Sequence, residues 1–416
     1  MIDIKLLREN PEKIKKACRD KQANVDIDKI LELDKKKRGL IAEIENMRAE
    51  QKKFGKDQIE KAKELKNKIK ELEPQLESTE KEFNELFIKI PNPSLDDVPI
   101  GKNETENKAI KEWWPPSFAK ATEGKKDYME LAEKLDIIDV KSAAKTSGSR
   151  FGFIKNGGAL LEIGLIQLAF ETLVKEGFIP IIPPTILKPE MMKAMGYVER
   201  GGDEIYYLEK DDMYLVGTSE QMIGPMHSGD VFEVKDLPKR YIAFSSCFRR
   251  EAGSYGKDTK GILRVHQFDK VEMFSFVGPE DSQKEHKFLL SMEEKLMQLL
   301  KIPYRVLNIC TGDLGDPAAA KYDIEAWMPG QPSSTGSGQG IYRETHSTSN
   351  CTDFQARRLN IRHKAKNGLE LVHTLNGTVF AIGRILIAII ENYQQKDGSI
   401  NVPTVLQKYI KIKKIK

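Results

Sequence analysis

The sequence predicts an α+β protein: an antiparallel helical coiled-coil arm near the N-terminus, then a larger globular domain built on an antiparallel β-sheet flanked by helices. Three observations predict it. Residues 28–88 carry two stretches of apolar residues at 3-4 spacing, the a/d seam of paired helices. From about residue 108 onward, strand-like and helical segments mix without regular βαβ alternation, which argues against a Rossmann sheet. No G-x-x-x-x-G-K-[ST] string occurs, so a P-loop is excluded.

Length and composition bound the rest. At 416 residues the chain has room for two or three domains, here read as 1–100 and 101–416. Apolar residues make up 39% and charged residues 31%, enough for a sizeable core under a strongly charged surface. The net charge of +4 says little about nucleic acid, so local distribution must decide. Four cysteines, Cys18, Cys247, Cys310 and Cys351, contain no C-x-x-C pair, which argues against zinc and against a disulfide framework. The first residues, MIDIKLLRENPEK, carry early acids and no apolar core, unlike a signal or transit peptide. The longest apolar run, 379–390, is too short to span a bilayer and is interrupted by Gly383 and Arg384. A cytoplasmic protein with no membrane partner is expected.

Residues 1–24 read as charged and helical. In the first half of the arm, Ile30, Leu33, Leu40, Ile44, Met47 and Phe54 keep the spacing, with Lys37 and Gln51 as exceptions. In the second half, Ala62, Leu65, Ile69, Leu72, Leu76, Thr79, Phe83 and Leu86 keep it throughout. Phe54-Gly55-Lys56-Asp57 is the expected turn. Halves of similar length give an arm about 40 Å long at about 1.5 Å per residue. Pro74 should kink the second helix. Residues 52–70 hold eight lysines against Asp57, Glu60 and Glu64. Such a patch could meet a phosphate backbone, although by charge alone a merely solubilising role is the simpler account.

Residues 91–107 read as a linker. Beyond it, residues 248–272, FRREAGSYGKDTKGILRVHQFDKVE, look like two strands joined by a long glycine-rich loop. Alternation puts Cys247, Arg249 and Glu251 on one face of the first strand, and Arg264, His266, Phe268 and Glu272 on one face of the second. Arginine suits phosphate and carboxylate, a ring can stack on a base, and a carboxylate can take an amine or hydroxyl. Together they suggest a site for a nucleotide and a small zwitterion, although by alternation alone an exposed hairpin with one solvated charged face is the simpler account. Residues 375–394 run from a turn into a buried helix with Arg384 in its middle, and a buried guanidinium needs an anionic partner. Residues 215–221, LVGTSEQ, place Thr218 and Glu220 two apart on an extended segment. Residues 331–341 read as a mobile Gly/Ser-rich loop, and the basic tail 408–416 as a fraying end.

Arg-x-Glu, a glycine loop and then RVHQFDKVE resemble motif 2 of the class II aminoacyl-tRNA synthetases (about 240–276), in the wording of the seryl-tRNA synthetase family. The resemblance extends along nearly the whole chain. The helix-like stretch and GFIPIIPPTIL (about 159–187) resemble motif 1, with Pro184 the best match to its proline and Pro183 the second. LNGTVFAIGRILIAIIENYQ lies in a region (about 371–394) that resembles motif 3. YRETHSTSNCTDFQARR (342–358) resembles a long family signature, except that His346 stands where serine is usual. The N-terminal arm, about 28–88, is similar to the family's tRNA-binding arm.

The resemblance implies ATP-dependent attachment of L-serine to serine tRNA through a seryl-adenylate, by a homodimer whose arm clasps the long variable arm of the tRNA. The arm of one subunit would then serve the active site of the other. Selenocysteine tRNA remains open as a second acceptor. By match to the family's motifs, Arg249 and Arg384 are the catalytic residues. Arg249 would bridge the serine carboxylate and the α-phosphate of ATP. Glu251 would take the adenine amino group, Phe268 would stack on the ring, and Arg264 and Arg384 would hold the outer phosphates. Glu344 and Ser347 would position Mg²⁺, a hard ion that keeps waters and borrows substrate phosphates. Thr218 and Glu220 would contact the amino acid, Glu220 at the ammonium, while Glu272 and Thr378 would read its hydroxyl. Three alternatives remain: a ligase that loads a carrier protein, which would lack the arm; a decayed RNA-binding relative, which would lack Arg249 or Arg384; and a purely structural coiled coil.

Overall fold

The computed structural model describes residues 1–55, 58–116, 124–199, 202–252, 260–332 and 339–416. They form two compact units, Met1–Pro93 and Ser94–Lys416.

In the first unit two short helices, α1 (Ile4–Glu9) and α2 (Pro11–Asp20), precede the long pair α3 (Ile27–Gln51) and α4 (Ile59–Phe87). Helix α3 starts where Asp26 caps it, its carboxylate accepting from the Lys29 N–H at 2.9 Å. Along both helices the spaced apolar positions are the ones withdrawn from water. Ile30, Leu33, Leu40, Ile44, Ile69, Thr79 and Phe83 are buried, and Met47, Ala62, Leu65, Leu72, Leu76 and Leu86 are half-buried. The two exceptions to the spacing also face the seam. The Lys37 ammonium sits 4.4 Å from the Phe83 ring centroid, a cation–π contact. The Gln51 amide donates to the Ala62 carbonyl at 3.0 Å and ties the two helices together.

Helix α4 runs through Pro74 as one 29-residue helix, so the proline does not end it. The expected turn includes Lys56 and Asp57, which lie outside the described residues. Among the described residues, every lysine between 52 and 70 is exposed. Near the base of the arm, Asp34 is a buried carboxylate that the apolar spacing did not reveal. Arg8 grips it with two hydrogen bonds, at 2.9 and 2.7 Å, and Arg38 adds a third at 3.0 Å.

The second unit is built on one eight-stranded sheet. In chain order its strands are β1 (Lys108–Trp113), β2 (Ile179–Ile181), β3 (Lys239–Phe248), β4 (Gln267–Val277), β5 (Tyr304–Asn308), β6 (Ala320–Pro332), β7 (Gln339–Asn350) and β8 (His373–Ala381). In space they lie in the order β1-β5-β6-β7-β8-β4-β3-β2. Every pairing is antiparallel except the edge pair β2–β3. Alternation on β4 explains the two layers. Val271, Met273 and Val277 point to the back, into a large core shared with Leu161, Leu165, Leu289, Leu296, Ile385 and Ile389. Phe274 and Phe276 point to the front, under a smaller cluster with Met195, Ile223 and Leu359.

The back is covered by α5 (Asn156–Val174), α8 (Ser282–Leu299) and α9 (Ile382–Tyr393). The short helices α6 (Pro189–Met195) and α7 (Glu220–Met226) cover part of the front. Helix α5 is long and apolar enough to cross a membrane by length and composition alone. Here Leu161, Leu165, Leu168, Ala169 and Leu173 seat one side of it in the core.

Several local expectations change. The segment read as a linker is docked from residue 95 onward: the Leu95 N–H bonds the Ala319 carbonyl at 2.9 Å, and Val98 enters a small core with Leu307 and Ile309. The tail does not fray. Lys414–Ile415 pairs with Ile400–Asn401, and Ile415 is buried in the main core, with Ile410 and Ile412 packed against it. The ends of 331–341 belong to β6 and β7, while residues 333–338 lie outside the described residues. Residues 373–381 form a strand rather than a turn, which places Arg384 in the first turn of α9 rather than mid-helix.

Candidate active site

Strands β3 and β4 pair without a shift from Phe248↔Gln267 to Lys239↔Phe276, so the facing residues share the predicted surface. The Arg249 N–H extends the ladder by bonding the His266 carbonyl at 2.9 Å. On that surface Arg249, Glu251, Arg264, Lys270 and Glu272 line a cavity of about 680 Å³ together with Thr218, Glu220, Glu344, Ser347, Thr378 and Arg384. Phe268 lines an adjoining pocket that shares Arg249, Glu251, Arg264, Glu344 and Arg384. All eleven residues given a role in the site by the resemblance therefore converge on one cleft, drawn from the residues just after β3 and just before β4, from β4, β7 and β8, from the start of α9, and from the approach to α7 and its first residue.

The anion-binding groups hold one another in place. The Arg249 guanidinium lies 5.4 Å from the Phe268 ring centroid and donates from Nε to the Gly217 carbonyl at 3.2 Å. Arg264 bonds Glu251 at 2.7 Å. Glu251 itself has φ +52°, a left-handed conformation that costs a non-glycine residue free energy and that clusters at functional sites. Arg384 reaches Glu344 twice, at 3.0 Å to the backbone carbonyl and 3.2 Å to the carboxylate. Glu344 is about half exposed at the mouth of the cleft; partial desolvation by the cleft walls pushes its carboxyl up, but the cations Arg384, Lys321 and Arg249 outweigh that and hold it below its ordinary value. Gly383 fits closely before Arg384: a Cβ there would meet the Ile262 carbonyl at 3.3 Å.

The amino-acid end is deeper. Glu220 is not on an extended segment but is the first residue of α7, where the positive end of a helix favours a carboxylate. It is buried, and the Tyr197 hydroxyl bonds it. Burial and then the negative charge of Glu272 push its pKa up to about 7, against the pull of Lys270, Tyr197 and Arg249. Glu272 is almost fully buried opposite Thr378 on β8 and forms an ion pair with Lys270. Burial raises the Glu272 carboxyl and Lys270 draws it back.

Glu344 and Ser347 open into the same cleft, and Ser347 lies across the ladder from buried Asp323. The Asp323 Oδ1 is buried without a protein hydrogen-bond partner. One carboxylate and one hydroxyl in a phosphate-sized cleft fit a hard ion that draws its remaining ligands from water and phosphate. His346 is a buried core residue: its Nδ1 meets the Thr345 hydroxyl at 2.8 Å, and burial pushes it down to about 3.

Two functional neighbours escaped the sequence. Lys270 lies between Phe268 and Glu272 at period two, so alternation did place it on this face. Tyr197 carries no local signal, because α6 reaches the pocket only through the tertiary fold.

Comparison with known proteins bears on both units. The seryl-tRNA synthetase N-terminal domain family matches residues 1–94, and the tRNA synthetase class II core domain family (G, H, P, S and T) matches residues 206–393. The serine–tRNA ligase of Dictyoglomus turgidum is 45% identical over 100% of this chain and 99% of its own. That of Acidothermus cellulolyticus is 43% identical over 99% and 98%. Among solved structures, seryl-tRNA synthetase from Pyrococcus horikoshii complexed with ATP superposes with a TM-score of 0.92 at 40% identity, covering 100% of this chain and 99% of that one. The cytoplasmic serine–tRNA ligase from Naegleria fowleri in complex with AMP gives 0.89 at 35%, with the same coverage. With full-length identity of this order and both domain families in sequence, the chain belongs to the seryl-tRNA synthetase family.

Proposed function

We propose that this chain activates L-serine with ATP to give seryl-adenylate and pyrophosphate, then passes the seryl group to a ribose hydroxyl at the end of serine tRNA. The observation that carries this reading is the single cleft that holds arginines for phosphate at one end and two buried carboxylates for a small zwitterion at the other. Catalysis at phosphorus of this kind rests on positioning and charge stabilisation. Arg249 bridges the serine carboxylate and the α-phosphate, a role supported by its guanidinium being held between the Phe268 ring and the Gly217 carbonyl on the wall of the cleft. Arg264 and Arg384 hold the outer phosphates, exchanging their present carboxylate partners for the nucleotide. Glu251 accepts from the adenine amino group and Phe268 stacks on the base. Glu220 pairs with the serine ammonium, Thr218 lies beside it, and Glu272 with Thr378 reads the hydroxyl. Glu344 and Ser347 would hold Mg²⁺, which when bound supplies positive charge to the phosphates.

The arm supports tRNA as the acceptor. RNA helices are read by shape and backbone, and the lysines of 52–70 offer a sequence-tolerant surface for that. The homodimer is supported by an apolar surface on α5 and beyond β2, where Leu160, Ile163, Ile179 and Ile182 are exposed, Ile182 by 77%. Pro184 is exposed on the same stretch. A cytoplasmic setting accords with tRNA as a substrate and with four free, buried cysteines.

The direct test supplies ATP, Mg²⁺ and total tRNA with each amino acid in turn. Serine alone should become esterified, and only to tRNAs with a long variable arm. Charging of a carrier protein in place of tRNA would overturn the reading. Selenocysteine tRNA is included in the same assay, and its serylation would extend the acceptor range.

A further inference from the structure

Lys270 is buried, with its side chain 8% exposed, and its ammonium is shared between two elements of the pocket. It forms an ion pair with Glu272 and donates to the Thr218 hydroxyl at 3.1 Å. Thr218 stands two residues before Glu220, so one ammonium ties the strand that carries one serine-facing carboxylate to the approach of α7, whose first residue is the other. From this geometry we infer that Lys270 is a positioning residue, the fixed counter-charge that lets Glu220 and Glu272 both stay ionised in one buried pocket before serine enters. The inference rests on the reading of the cleft as a serine site.

Two carboxylates in one desolvated site do not both ionise unless a cation offsets them; otherwise one takes a proton. Serine needs both as anions. Its ammonium requires a negative Glu220, and its hydroxyl needs an acceptor, whereas a protonated Glu272 would compete as a donor. Around Glu272 the charged and titratable groups are Lys270 beside it, Cys247 on β3 and Arg249 just beyond it, Glu220 on α7, Tyr197 near α6 and Glu293 on α8. Of these, Arg249 and Lys270 are the cations. Arg249 contributes at longer range, its guanidinium held by the Phe268 ring and the Gly217 carbonyl, whereas Lys270 is the cation in direct contact with Glu272 and with the Thr218 hydroxyl. Glu293, fully buried behind the sheet, shows the alternative: burial and then the charges of Asp323 and Glu272 push its carboxyl well above the ordinary value, so it stays a neutral acid.

The test is the pH profile of serine-dependent ATP–pyrophosphate exchange in the full-length protein. In Lys270→Met the KM for serine should rise roughly 10- to 100-fold at pH 7, in line with the loss of one charged, hydrogen-bonded partner. Its pH midpoint should move alkaline by about one unit or more, while the KM for ATP stays within about twofold. Lys270→Arg should keep the wild-type midpoint even if its bulk raises KM. Lys270→Met/Glu272→Gln should return the midpoint toward wild type, because a single remaining carboxylate no longer needs the offset; this double variant also reads out the effect if the single one folds poorly.

An unshifted midpoint in Lys270→Met would overturn the inference. So would a parallel rise in the KM for ATP, which would make Lys270 a phosphate contact. Failure of the wild-type protein to exchange with serine at all would instead remove the serine reading itself.

Discussion

Glu220 is the side chain whose charge the site most needs and whose burial most opposes it. Its pKa is pushed up to about 7, first by burial and then by Glu272. Below that pH the free site holds a neutral acid that cannot pair with an ammonium. The KM for serine should therefore climb as pH falls from 8 to 6, approaching about tenfold per unit, while the KM for ATP stays nearly flat; pyrophosphate exchange at a series of pH values checks both. Glu272→Ala should cost serine activation far more than ATP binding. A site built to hydrogen-bond a hydroxyl can discriminate by up to roughly 10⁴–10⁵ against an analogue that lacks it, and most of that selectivity should vanish against alanine. Equal losses in serine and ATP parameters would remove Glu272 from the hydroxyl-reading role. Most of these residues were legible because β3 and β4 alternate strictly: Arg249, Phe268 and Glu272 share a face by counting alone. Tyr197 was not legible, since its partner Glu220 lies 23 residues away on another helix. Nor was Asp34, an acid inside the arm whose burial depends on Arg8 reaching across 26 residues.

Among the elements, the arm shows what spacing can and cannot tell. The 3-4 pattern located both helices and their seam, and the structure adds the reason its two breaks are tolerated: Lys37 lies on Phe83 and Gln51 bonds Ala62. Tail and linker were misread because short segments carry little periodicity, and their order comes from partners distant in sequence, such as Ala319 for Leu95 and Asn401 for Lys414. The boundary of α9 was missed for a related reason. His373–Ala381 is buried on both faces, as a central strand is, and its Asn376-Gly377 pair reads locally as a turn. Deleting residues 28–88 should leave serine-dependent pyrophosphate exchange within a fewfold of wild type and abolish transfer to tRNA. Charging that survives the deletion would take tRNA recognition away from the arm.

For the whole molecule, the expected assembly is a pair of chains joined through α5 and the β2 edge. Ile163 is about half exposed on the side of α5 turned away from the core, and Ile182 projects further. An Ile163→Glu/Ile182→Glu variant should shift the mass measured by light scattering from dimer to monomer, with a loss of charging that exceeds any loss of thermal stability. A wild-type protein that is monomeric at micromolar concentration would contradict this arrangement. The α+β class, the order of the motifs and the antiparallel sheet were all readable in advance, because each rests on a long or highly specific string. The apolar surface was not, since Leu160, Ile163, Ile179 and Ile182 look like core residues until the fold shows which side of each element is already packed.

The central claim is that one cleft activates serine and no other amino acid. ATP–pyrophosphate exchange with each of the twenty amino acids, without tRNA, tests it most directly. Exchange with serine alone is the predicted result. Exchange driven by a different amino acid would contradict the roles of Glu272 and Thr378, and no exchange from folded protein would contradict the catalytic reading altogether.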